Sequence, residues 1–235
     1  MEVSSEPLFD LTQEYDEMLR RGLKLSGETR EFFMRGRVAD LAAELSARKA
    51  PRRILDLGCG LGHTAAYLAS VFGEARVLGV DTSAEALEHA ASHYGGDRVG
   101  FSHLDEFEPA GDFDLCYVNG VFHHITPADR PLAVRTVLAS LSPGGLFAFF
   151  ENNPWNPGTR MVMSRIRFDR RARTLSPREA RALLDSCGFR SIRPTRYLFF
   201  FPKPLRWLRS AEPHLRRAPL GAQYWLLGQK GADID

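Results

Sequence analysis

Apolar positions recur at i, i+3 and i+4 through the first fifty residues, with Tyr15, Met18 and Leu19 followed by Val38, Leu41, Ala42 and Leu45. That spacing lays them on one helical face, and Pro51 ends the region. The pattern then changes to short apolar runs. Arg53–Leu57, Ala75–Val80, Val99–His103, Phe113–Asn119 and Leu146–Glu151 read as five strands. Helical stretches separate them at Thr64–Phe72, from the N-cap Ser83 to His93, and at Ala128–Leu141. Ser142-Pro143-Gly144-Gly145 reads as the turn before the fifth strand. Strands alternating with helices predict a mostly parallel sheet with helices on both faces. Beyond Trp155 the rhythm loosens. A helix runs from Ser176 to Cys187, Tyr197–Phe201 and Gln223–Gln229 read as strands, and 154–175 and 202–220 read as insertions or lids. We expect one domain over 1–235, with a helical lid at 1–50, a ligand-binding core at 51–151, and substrate-side insertions and last strands at 152–235.

The chain of 235 residues is long enough for a substantial core, and no apolar run reaches the length of a membrane span. The opening Met1-Glu2-Val3-Ser4-Ser5-Glu6 lacks the basic and apolar regions of a signal peptide, so a cytoplasmic location is expected. Cys59, Cys116 and Cys187 form no CxxC pair, and neither a disulfide framework nor a metal site is expected. The net charge of +2 conceals an asymmetry, because residues 1–159 carry −9 and residues 160–217 carry +12. A solvated arginine-rich face is the ordinary reading of such a stretch, and an anionic substrate, RNA or a membrane surface the sharper one.

The sharpest motif is Ile54-Leu55-Asp56-Leu57-Gly58-Cys59-Gly60-Leu61-Gly62, placed between a strand and a helix. Glycines there let the backbone turn sharply and approach a ligand. Asp56 falls at a strand's carboxyl end, where open α/β sheets bind ligands. NAD-binding proteins share this arrangement, including an acid after the second strand, here Asp81 followed by Thr82. Three features favour S-adenosylmethionine (SAM) instead: the Gly-x-Gly-x-Gly spacing, the preceding Asp-x-Gly-Cys-Gly, and the pair Leu104-Asp105 after the third strand.

In combination, over about residues 50–150, these motifs resemble the class I SAM-dependent methyltransferases, of the bacterial type acting on small molecules and natural products. The resemblance implies a Rossmann-like seven-stranded sheet of order 3-2-1-4-5-7-6, with strand 7 (Gln223–Gln229) antiparallel and the N-terminal helices over the site. It implies cofactor contacts from Asp56, Gly58, Cys59, Gly60 and Gly62, from Asp81 and Thr82 at the ribose, from Leu104 and Asp105 at the adenine, and from Asn119 and Gly120 at the methionine end. Arg30, Arg35 and Arg37 are candidates for the SAM carboxylate, since arginine suits bidentate carboxylate binding.

Methyl transfer from a sulfonium is an in-line displacement in which alignment does much of the work. A base is required only where the acceptor must lose a proton. Asn119, His123 and His124 are the candidates after strand four. The run Glu151-Asn152-Asn153-Pro154-Trp155-Asn156-Pro157 predicts a rigid polar loop, in which Trp155 either faces the sulfonium or packs beneath a lid. The expected function is SAM-dependent methylation of a small molecule in biosynthesis. The alternative is a SAM-consuming cyclase that forms azetidine-2-carboxylate and releases methylthioadenosine. RNA methylation ranks below both, because no RNA-binding module accompanies the basic stretch. No membrane partner is expected, and neither the acceptor nor the oligomeric state can be read from the sequence.

Overall fold

A computed structural model describes residues 21–24, 26–166, 169 and 172–232. Tyr15, Met18 and Leu19, and with them the first part of the expected helical lid, lie outside the described residues. The lid's remainder is helix α1 (Arg30–Leu45), N-capped by the Thr29 hydroxyl, which accepts from the Phe32 N–H. The expected helix after the glycine loop is α2 (His63–Val71), and the Ser83-capped helix is α3 (Ala84–Tyr94). The parallel strands are β1 (Arg53–Leu57), β2 (Arg76–Asp81), β3 (Val99–His103) and β4 (Phe113–Asn119). Helix α4 (Arg130–Ser140) returns the chain to β5 (Leu141–Asn152). Helices α5 (Pro157–Arg165) and α6 (Pro177–Ser186) follow, then β6 (Phe189–Ile192), β7 (Arg196–Leu198), the short α7 (Glu212–Leu215) and β8 (Gln223–Lys230).

The sheet order is β3-β2-β1-β4-β5-β8-β6, and β7 also pairs with β8. The expected seven-position order therefore holds, with β8 as the antiparallel strand between β5 and the edge. The edge position is broken into two segments, β6 opposite the end of β8 and β7 opposite its start. Sequence reading had found only the second of these. β5 begins earlier than expected: Phe113 pairs with Leu141 but Leu115 with Leu146, so Ser142–Gly145 bulges within the strand. Period-two alternation sorts the sheet's residues onto two buried faces. Ile54, Tyr117, Phe150 and Trp225 meet α1 and α2 through Val38, Leu41 and Leu68. Leu55, Val118, Phe149 and Leu226 meet α4 and α6 through Val134, Val137, Ala180 and Leu184. Thus α1 belongs to the core as well as roofing the site. No helix among the described residues is long and apolar enough to cross a membrane.

Candidate active site

At the carboxyl edge of the sheet the chain must leave β1 and turn over the end of β2. Gly58 and Gly60 do this with φ of 74° and 50°, values that side-chain-bearing residues rarely adopt. The Gly58 and Cys59 N–H groups donate to the Val80 carbonyl at 2.7 and 3.1 Å. A Cβ on Gly58 would stand 2.3 Å from Val121 Cγ2, whereas nothing lies within 4 Å of one on Gly60. Gly60 therefore faces open space. The Asp81 carboxylate accepts from the N–H groups of Gly60 (2.8 Å), Thr82 (2.8 Å) and Ser83 (3.1 Å), which ties the loop to β2. Leu104 and Asp105 form a 3-10 turn capped by His103; Leu104 packs partly on the core and the Asp105 side chain is exposed.

Two buried acceptors end the neighbouring strands without a hydrogen-bond partner, Asp56 Oδ2 and Asn119 Oδ1. Burial and the nearby Asp81 charge push Asp56 up to about 7, against the opposing pull of Arg37. Arg37 projects from α1, donating to the Tyr117 hydroxyl and to Gln223 Oε1, both at 3.0 Å. A cavity of about 490 Å³ opens here. Gly58, Cys59, Gly60, Asn119, Gly120, His123 and His124 line it, together with Arg30 and Arg37. Apolar side chains form much of the rest, Phe32 and Phe33 of α1, Met161–Met163 of α5, Ile166 and Phe199–Phe201, with polar Glu28, Asn152, Asp169 and Gln223 among them. Phe199 holds a left-handed φ of 63° while packing 4.8 Å from Phe33. Arg35 does not line the cavity and lies over the Tyr67 ring instead.

The turn after β4 presents both histidines. His123 is buried, with Nδ1 at 2.7 Å from Glu151 Oε2 and Nε2 at 3.5 Å from Asp169 Oδ1. Burial pulls His123 down, but the charges and hydrogen bonds of Glu151 and Asp169 outweigh it and lift the group to about 10. Burial and the His123 charge push His124 down to about 4. Glu151 also accepts from the Phe122 and Asn152 N–H groups. Arg130 donates to the carbonyls of Phe122, Ile125 and Arg173, locking the turn.

Glu151, Asp169, Tyr117 and Gln223 were not assigned to the site from sequence. A charged residue closing the apolar run Leu146–Phe150 was the available signal for Glu151. The Trp155 expectation is corrected. Trp155 is half-exposed and does not line the cavity. The Asn-Pro loop works inward as a staple. Buried Asn153 donates to the carbonyls of Pro219 and Gly221, and Asn156 caps α5 while donating to Leu220. Backbone satisfaction thus fixes the asparagines, and the tryptophan between them points away. Several arginines of the basic stretch are paired internally. Arg196 pairs with Asp40 and Glu44, Arg216 with Asp40, and Arg209 with Glu28.

Residues 54–145, which contain the glycine loop, Asp81 and the β4 turn, match the family model described as a methyltransferase domain. These residues are a methyltransferase domain. The trans-aconitate 2-methyltransferase of Methylobacterium radiotolerans is 38% identical over 112 residues, which are 46% of this chain and 42% of that protein. That of Methylobacterium nodulans is 38% identical over 125 residues, 52% of this chain and 48% of that protein. The chain thus spans about half the length of the curated relatives it matches. A SAM dependent methyltransferase structure from Archaeoglobus fulgidus superposes with a TM-score of 0.65 at 16% identity, covering 88% of this chain and 97% of that one. Around the methyltransferase domain the fold is therefore that of the class I SAM-dependent methyltransferases.

Proposed function

We propose that the chain is a SAM-dependent methyltransferase acting on a small-molecule acceptor with an apolar or cyclic body, a cytoplasmic enzyme of biosynthesis. The observation that carries this reading is the pair of unpartnered buried oxygens, Asp56 Oδ2 and Asn119 Oδ1, beside a glycine loop with an open face. Buried polar atoms without partners are rare and call for a donor. An ammonium group and its neighbouring atoms supply such donors. The bound cofactor would bring an activated methyl group on a sulfonium. Gly58–Gly60 and Gly120 would hold its chain, and Asp81 its ribose hydroxyls, using the acceptor capacity its three backbone partners leave.

The protein's own part is orientation and exclusion of water. Apolar side chains from α1, α5 and Phe199–Phe201 surround the space where the acceptor would lie. The curated relatives are named for trans-aconitate, a small polycarboxylate. Here Arg37 is already engaged by Tyr117 and Gln223, and the aromatic walls suit a less polar body. Exposed Trp155 withdraws the aromatic support for the cyclising alternative, and the internally paired arginines weaken the case for RNA. Mass spectrometry of SAM incubated with purified protein, with and without a low-mass cell extract, tests the reading. S-adenosylhomocysteine appearing only with extract, alongside a product 14 Da heavier, is expected. Methylthioadenosine from SAM alone would overturn it.

A further inference from the structure

One polar cluster in the cavity wall goes unused by methyl transfer as described. His123, His124 and Asp169 each offer a ligand atom, and the three atoms lie within 4.8 Å of one another. Both Nε2 atoms stand 3.5 Å from the same Asp169 Oδ1. That is long for a direct hydrogen bond, which prefers about 2.7–3.2 Å. It is close to the edge of a tetrahedron, about 3.3 Å, whose corners sit 2.0–2.1 Å from a central ion. Two imidazoles and a carboxylate are the donor set of borderline first-row ions. Magnesium and calcium prefer all-oxygen shells.

The surroundings are those of a prepared ligand set. His123 Nδ1 faces Glu151 Oε2 at 2.7 Å, the outer carboxylate that orients a metal-ligating histidine and raises its basicity. Glu151 is itself fixed by the Phe122 and Asn152 N–H groups. The turn carrying both histidines is pinned by Arg130, and the Arg173 N–H donates to the His123 carbonyl at 2.8 Å. All three ligand residues line the cavity, so an ion held by them keeps a position open to it. Asp169 is brought here from beyond α5, and Arg173 fastens the returning chain to the histidine turn.

We propose that His123, His124 and Asp169 bind a divalent first-row metal ion of the Zn²⁺ or Fe²⁺ class, oriented through Glu151, with its open position facing the acceptor cavity. The site selects acceptors that bring an oxygen ligand, a hydroxyl, enol or carboxylate. This last part rests on the methyltransferase reading; the metal site does not.

Tag-free protein, stripped with chelator, is titrated with Zn²⁺ by calorimetry and with Co²⁺ by visible absorption. One equivalent binding below about 10 µM, with a four-coordinate cobalt spectrum, is expected. Asp169→Asn and His124→Asn, each checked for folding by circular dichroism, should each weaken Zn²⁺ binding at least about 30-fold. Affinity for S-adenosylhomocysteine is measured in the same samples. No stoichiometric uptake, or a six-coordinate cobalt spectrum in the wild type, overturns the metal site and leaves His123 as an imidazolium balancing Glu151 and Asp169. Uptake unchanged in both variants overturns the ligand assignment. Metal uptake without cofactor affinity sinks the methyltransferase reading alone.

Discussion

The two walls of the cavity are built by different means. The wall from β1 to β4 is made by backbone: positive-φ glycines, N–H groups closing on Val80, and one carboxylate gathering three amides. Every contact there is local to a strand end. Behind the opposite wall, side chains meet across long sequence distances. Asp40 of α1 receives the Trp225 Nε1–H at 2.9 Å and the guanidinium groups of Arg196 and Arg216. Glu44 and Glu28 hold Arg196 and Arg209. A few arginines of the basic second half thus tie it to carboxylates on and just before α1. A wall of backbone presents one fixed surface for a fixed ligand. A wall braced by paired side chains can be respecified residue by residue, as the proposed acceptor site would require.

Substitutions break this comparison at different strengths. Gly60→Val should have the largest effect, because the new side chain enters the open face assigned to the cofactor in the proposed function. SAM affinity should fall more than about 100-fold, while the strain of a left-handed φ costs only about 1–2 kcal/mol of stability. Calorimetry with S-adenosylhomocysteine beside thermal unfolding separates the two, and retained affinity would move the cofactor elsewhere. Asp40→Ala should act the other way, costing about 1–3 kcal/mol in denaturant unfolding, chiefly because the buried Trp225 indole N–H loses its acceptor while two partly exposed arginines lose a partner. An unchanged midpoint would mean the arginines do not tie the second half down.

Asp56 gives the next effect, through pH. Its folded pKa is about 7 against 3.8 ordinarily. Between these values the unfolded chain has released a proton that the folded chain keeps, so stability falls as pH rises across that window. The loss is complete above about pH 7, at up to about 4 kcal/mol. Asp56→Asn should flatten this slope and raise the melting temperature at pH 8. It should also remove the rise in SAM affinity expected between pH 5.5 and 7.5, as the carboxylate ionises toward an ammonium. A slope unchanged in the variant would assign the effect to another group. The smallest effect is expected at Trp155→Ala, within about 0.5 kcal/mol and with turnover unaltered, since the ring is half-exposed outside the cavity. A large loss of turnover would return the indole to the site.

Legibility followed the same division. The glycine loop, Asp56, Asp81 and the five parallel strands could be read because strand period and turn chemistry are local. Asn119, Gly120, His123 and His124 end or directly follow a readable strand, and the cavity gathers all four. Trp155 was misplaced because a loop's local sequence does not say which of its side chains faces inward; Asn153 and Asn156 took that side by satisfying the carbonyls of 219–221. The split edge of β6 and β7 was half seen, since each segment has three or four residues, too few for a period to show.

Sequence alone determined the doubly covered parallel sheet and its glycine-turned carboxyl edge, because periodicity and glycine placement act within a few residues of where they are written. Only the tertiary structure decided the opposite wall of the cavity and what braces it. Asp169 reaches His123 and His124, Arg37 reaches Tyr117 and Gln223, and Asp40 reaches Trp225, only when the chain has closed on itself. Pairings between residues so far apart depend on how packed elements bring their faces together, and no local pattern encodes that arrangement.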